Sequence, residues 1–134
     1  MHNINLCELL KSSKTIAVVG ISSKPNRTSR NIVSYLFYSG FDVFGVNPNK
    51  NFIDADGIKV YNNLEEIPKQ IDIVNVFRKS EDIPDLIEDV LKIKPKVLWL
   101  QLGIRNDSAV KVVKEKGIIV IQDSCIMVQH RNCN

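Results

Sequence analysis

The sequence predicts a doubly wound α/β fold, a mostly parallel sheet in three α/β/α layers, on three observations. Short apolar runs end in glycine or in polar loops, and amphipathic segments of helical period lie between them. The runs are apolar throughout rather than alternating, as in strands covered on both faces. At 134 residues the chain suits one domain of this kind, residues 1–134.

The elements follow in order. Ile4, Leu6, Leu9 and Leu10 have the spacing of a short leading helix. Thr15-Ile16-Ala17-Val18-Val19 is a buried strand ended by Gly20. Residues 28–39 read as a helix with Ile32, Val33, Leu36 and Phe37 on one face, capped by Thr28 or Ser29 and stopped by Gly40. A second strand covers residues 41–46, closed by Asn47-Pro48-Asn49. Residues 49–63 are polar and irregular, with Asp56-Gly57 as a turn and Ile58-Lys59-Val60-Tyr61 as a short edge strand. Residues 71–77 form the next strong strand. A helix over 81–93 carries Pro84 in its first turn, where a proline is tolerated. Residues 96–100 are a strand leaving through Gln101-Leu102-Gly103, residues 106–116 a helix, and residues 118–121 the last strand. From Asp123 onward no form is predicted. Strands alternating with helices imply βαβ crossovers and a parallel sheet.

Composition excludes several classes. With 44% hydrophobic and 25% charged residues, the chain reads as a soluble globule. A net charge of +3 favours a polyanionic small ligand but does not mark a nucleic-acid binder. No apolar run approaches the ~18–20 residues that span a bilayer, and the N-terminus has no signal-like pattern, so a cytoplasmic protein is expected. Cys7, Cys125 and Cys133 are odd in number, far apart and without zinc spacing, which favours a reducing compartment. No residue set suggests a metal.

Topology locates the candidate site, because open parallel sheets bind ligands beyond the carboxyl ends of their strands. Five polar segments occupy those ends: residues 20–27, 47–49, 77–80, 101–103 and 122–125. In the first, Gly20 lets the backbone turn and a ligand approach, and the following helix points its amides at an anion. Ser22, Ser23, Thr28 and Ser29 add hydroxyls, and Lys24 and Arg27 add charge suited to phosphate. The loop lacks the second and third glycines of a dinucleotide fingerprint, and Phe44-Gly45-Val46-Asn47-Pro48-Asn49 lacks the acid that holds an NAD ribose. NAD is thereby disfavoured. A coenzyme with a 2′- or 3′-phosphate remains open, through Arg27 and Lys50.

Taken together, Ile16 to Ser22 with Lys24-Pro25-Asn26-Arg27 and Ser29, then Val46-Asn47-Pro48, then Asp72 to Glu81, then Trp99-Leu100-Gln101-Leu102-Gly103, resemble the small stand-alone CoA-binding domain proteins labelled YccU-like. The resemblance spans roughly residues 10–130. It implies a single Rossmann-like domain similar to the CoA-binding domain of the succinyl-CoA synthetase α subunit, with coenzyme A or an acyl-CoA as ligand. It also implies roles. Gly20, Ile21, Ser22, Lys24, Arg27 and Ser29 would hold phosphates, and Asn47 and Pro48 would line the nucleotide. Val76, Phe77, Arg78 and Ser80 would surround the adenosine, while Gln101 and Gly103 would lie nearer the pantetheine. One departure stands out: Gln129 replaces the carboxylate of the family's Cys-x-x-x-Glu-His-like segment, here Cys125 to His130.

A nucleophile needs an adjacent base, and Cys125 with His130 is the one tempting pair; a small packed cysteine and a surface histidine are expected instead. Trp99 is expected in the core, and Phe77 either in the core or against an adenine. Three functions follow: a non-catalytic CoA-binding module, with a homodimer or a partner enzyme left open; a small NADP-dependent or acyl-CoA-processing enzyme; or a regulatory domain with a vestigial pocket.

Overall fold

The computed structural model describes residues 5–21, 28–48 and 57–133. Six strands, β1 (Thr15–Val19), β2 (Asp42–Val46), β3 (Val60–Tyr61), β4 (Ile73–Val76), β5 (Val97–Leu100) and β6 (Ile119–Ile121), form one sheet of order β3-β2-β1-β4-β5-β6. Every pairing is parallel. The helices are α1 (Leu6–Lys11), α2 (Thr28–Tyr38), α3 (Pro84–Ile93), α4 (Asp107–Glu115) and α5 (Ile126–Arg131).

The pleat sorts strand residues between two cores. Ala17, Val19, Val74, Val76, Leu98 and Leu100 pack against Ile83, Leu86 and Val90 of the α3 segment and Val110 and Val113 of α4. Ile16, Val18, Ile73, Val97 and Trp99 face Leu9 and Leu10 of α1, Ile32, Val33 and Leu36 of α2, and Ile126 of α5. All residues of β4 and β5 are buried, which explains why their sequences, Asn75 apart, are apolar without alternation. Trp99 lies fully inside, and its indole Nε1–H donates to the Ser124 carbonyl at 2.8 Å. The three layers are those expected from sequence.

The helix ends obey local chemistry. Asn106 caps α4 by accepting from the Ala109 amide at 3.1 Å, and Pro84 opens α3. Gly40, at φ +102°, ends α2, with the Phe41 amide donating back to the Leu36 carbonyl at 3.2 Å.

Four expectations change. Thr28 and Ser29 already lie within α2 rather than flanking it as caps. The segment read as one helix from residue 81 begins with a tight 3-10 turn, Ser80–Asp82, before α3 starts at Pro84. The tail forms α5, and a further 3-10 turn occupies Leu64–Glu66. Finally, Cys7 and Cys133 form a disulfide across 126 residues, with Cα atoms 5.5 Å apart, leaving Cys125 free. Their sequence distance concealed this pairing, because α1 and α5 lie side by side on one face. No helix among the described residues is long and apolar enough to cross a membrane.

Candidate functional site

β1 is flanked by β2 on one side and β4 on the other, and the connection after β1 runs to α2 on one face while that after β4 runs to α3 on the other. The loops therefore part there and leave a crevice. Hydrogen bonds extend the ladder just past the strands: the Gly20 amide donates to the Val46 carbonyl at 2.9 Å, and the Phe77 amide to that of Val19 at 2.8 Å. Gly20 sits at φ +89°, and a Cβ there would lie 2.7 Å from the Phe77 carbonyl oxygen. Glycine is thus demanded twice, by conformation and by backbone contact across the switch point.

The loop after β1 is tied to the loop after β2. Ile21 is fully buried, and its carbonyl accepts from Asn47 Nδ2 at 2.7 Å. Its side chain fits over Gly45, where a Cβ would lie 3.0 Å from Ile21 Cγ2. Asn47 thereby fixes one wall of a cleft of about 380 Å³ lined by Gly20, Asn47, Pro48, Phe77, Arg78, Lys79 and Asp82. Arg78 is half-buried and Lys79 exposed; among the described residues neither side chain has an ion pair or hydrogen bond. Asp82 is the one carboxylate among the described lining residues, so two cations outweigh it.

Of the residues expected at the site, this cleft gathers Gly20, Asn47, Pro48, Phe77 and Arg78. Ile21 supports it from beneath, and Ser29 is buried in the first turn of α2. Ser22, Lys24 and Arg27 lie outside the described residues. Ser80, Gln101 and Gly103 are engaged elsewhere, in bracing the loop after β5. Ser80 Oγ accepts from the Arg105 amide at 2.9 Å, and its carbonyl accepts from Asn106 Nδ2 at 2.9 Å. The Gly103 amide donates to Asp123 Oδ1 at 2.7 Å. The buried Gln101 Oε1 accepts from Asn75 Nδ2 and from the Ile126 amide, each at 3.3 Å. Beside this brace, the Gln122 amide donates to Asp107 at 2.9 Å and, with Arg105 3.2 Å away, holds that carboxyl below its usual value.

Sequence reasoning missed three residues. Lys79 adjoins Arg78 in a segment already singled out. Asp82 reaches the cleft because of the 3-10 turn. Asn75 is the polar residue inside an apolar strand, and that oddity is visible in the sequence. It pairs with Val18 in the sheet, two residues below Gly20 and Phe77. Its Nδ2 also approaches the Trp99 carbonyl at 3.4 Å, but its buried Oδ1 has no partner among the described residues. An unpaired buried acceptor is costly and rare, and so marks a site to explain.

Cys125 and His130 do not stand free as a pair. Cys125 is half-buried and packs against the core on the α2 side of the sheet. His130 Nδ1 is 2.7 Å from the Tyr35 hydroxyl, and its ring meets Tyr35 and Phe41 edge-on. Among the described residues no cluster of three metal-ligating side chains occurs.

A parallel sheet of this strand order, with a cleft at its switch point, belongs to the Rossmann-like class of α/β domain. Within that class the chain belongs to the CoA binding domain family, whose sequence profile matches residues 14–131. It is 44% identical over 123 residues to the uncharacterized protein YneT of Bacillus subtilis (strain 168), covering 92% of this chain and 90% of that one. It is 29% identical over 86 residues to the acetate–CoA ligase (ADP-forming) I subunit alpha of Pyrococcus furiosus; the match covers 61% of this chain and 19% of the subunit. The solved structure of cell-free ID.343 from Thermus thermophilus is similar with a TM-score of 0.91 and 35% identity over 98% of both chains.

Proposed function

We propose that this chain binds coenzyme A or an acyl-CoA, without transforming it, in the crevice beyond β1, β2 and β4, and that it does so in the cytoplasm. The observation that carries the reading is the cleft itself. Arg78 and Lys79, unpaired among the described residues, face an approach to the backbone at Gly20, a position from which a side chain is sterically barred. Cations in that state beside a strand-to-helix turn suit the phosphates of a nucleotide.

The residues also fit the rest of such a ligand. Half-buried Phe77 lines the cleft, an aromatic suited to a base, and Asn47 holds the cleft wall in place through the Ile21 carbonyl. The family supports CoA over other nucleotides, as does the match to one-fifth of a CoA ligase subunit.

Calorimetric titration with CoA, acetyl-CoA, NAD and NADP tests the reading. CoA or acetyl-CoA is expected to bind tightest, at one site per chain, with acetyl-CoA recovered intact after incubation. Preference for a nicotinamide dinucleotide, or turnover of acetyl-CoA, would overturn it.

A further inference from the structure

A second cleft lies away from the strand-end crevice and has the disulfide in its wall. It measures about 630 Å³, and its lining includes Cys7, Cys133, Glu8, Lys11, Ser12 and His130. Ser12 places it at the opposite end of the sheet, for its carbonyl accepts from Lys96 Nζ, just before β5, at 3.3 Å. Structural disulfides ordinarily sit inside a protein, shielded from attack. Here Cys7 is exposed, Cys133 is half-buried, and both face a space roomy enough for a small molecule.

We propose that the Cys7–Cys133 disulfide is a thiol–disulfide exchange site, whose cleft admits a low-molecular-weight thiol. The incoming thiolate attacks the exposed Cys7 Sγ. The Sγ–Sγ bond breaks, a mixed disulfide forms on Cys7, and Cys133 leaves as a thiolate that takes up a proton from water. A second small thiolate then attacks the small-molecule sulfur of the mixed disulfide and releases Cys7. The net change converts two small thiols and one protein disulfide into one small disulfide and a protein dithiol; two electrons pass to the protein. A small disulfide runs the same steps in reverse.

Three features suit the surroundings to this chemistry. Lys11 lines the space where negative charge develops on sulfur, and a nearby cation favours a thiolate. The Cys133 sulfur lies 3.1 Å from the Gln129 carbonyl, so the released thiol has an acceptor waiting. Leu9 and Leu10 are packed in the core, so α1 has an anchor besides the covalent one. Exchange therefore proceeds on the folded chain. This site shares no lining residue with the crevice, and its fate is independent of CoA binding.

The test uses the intact chain, reduced glutathione and glutathione disulfide, with thiols counted after denaturation and mapped by peptide mass. After glutathione disulfide the wild type should show one thiol, Cys125; after native incubation with reduced glutathione it should show all three. Cys133→Ser should trap one glutathione on Cys7, roughly fivefold or more faster than Cys7→Ser traps one on Cys133, since the exposed sulfur reacts first. Three thiols persisting after glutathione disulfide, a disulfide that yields to glutathione only in denaturant, or faster trapping on Cys133 would each overturn the proposal. The wild-type counts decide it even where a variant fails to fold.

Discussion

The amino end of the parallel sheet and the crevice at its carboxyl end both carry polar residues and treat them in opposite ways. At the amino end the polar groups satisfy one another. Asp72 Oδ2 accepts from the Lys14 amide at 2.7 Å and the Thr15 amide at 3.3 Å. The Thr15 hydroxyl donates to the Gln70 carbonyl and accepts from the Asp72 amide, both at 2.8 Å, while Lys69 pairs with Asp42 at 2.8 Å. In the crevice at the carboxyl end, Arg78 and Lys79 have no side-chain partner among the described residues, and within β4 the buried Asn75 Oδ1 is unpaired among them. Loops at either end are polar because the backbone there needs water or partners. What separates a seam from a binding surface is whether the polar groups are already spent on each other.

That contrast can be broken most severely at Gly20. Gly20→Ala would set a methyl 2.7 Å from the Phe77 carbonyl at a φ of +89°. A loss of about 2–4 kcal/mol of stability is expected in chemical denaturation, with CoA binding lost alongside. Arg78→Ala sharpens the contrast, since its side chain has no partner to lose among the described residues. CoA affinity should fall roughly 10- to 100-fold, or about 1.5–3 kcal/mol, and further salt should matter less than in the wild type. Its stability should stay within about 0.5 kcal/mol.

Asp72→Ala is the mirror experiment at the other end. It removes the acceptor for two backbone amides, so about 1–2 kcal/mol of stability should disappear while CoA affinity is unchanged. The smallest effect concerns pH. The hydrogen bond from Gln122 lowers the Asp107 carboxyl, so its contribution is present above the ordinary carboxylate value and is lost as pH falls through the lowered one. Asp107→Asn should flatten the acid limb of a plot of Tm against pH slightly, and leave neutral-pH binding alone.

Much of this fold was legible because buried parallel strands announce themselves as short apolar runs, as in Ile73–Val76 and Val97–Leu100. The helix α5 was not, because six residues with one buried position, Ile126, carry no readable period. The disulfide was hidden for a different reason: 126 residues of separation say nothing about distance in space. That Gly20, Asn47, Phe77 and Arg78 line one cleft was legible because each follows a strand beside it. Gln101, Gly103 and Ser80 also follow strands, yet their hydrogen bonds run to Asn75, Asp123 and the Arg105 loop. A residue's type and position show that it is polar near a crevice; its partners show whether it is a strut. Asn75 is the converse, since an amide side chain inside an otherwise apolar strand is conspicuous from its neighbours alone.

The difference between the two ends is tested most directly by mapping backbone amide shifts while CoA is titrated into the isotopically labelled protein. The account predicts shifts concentrated at Gly20, Asn47, Phe77, Arg78 and Lys79, with Lys14, Thr15 and Asp72 unmoved. No shifts at saturating CoA, or shifts centred on the amino end of the sheet, would contradict it.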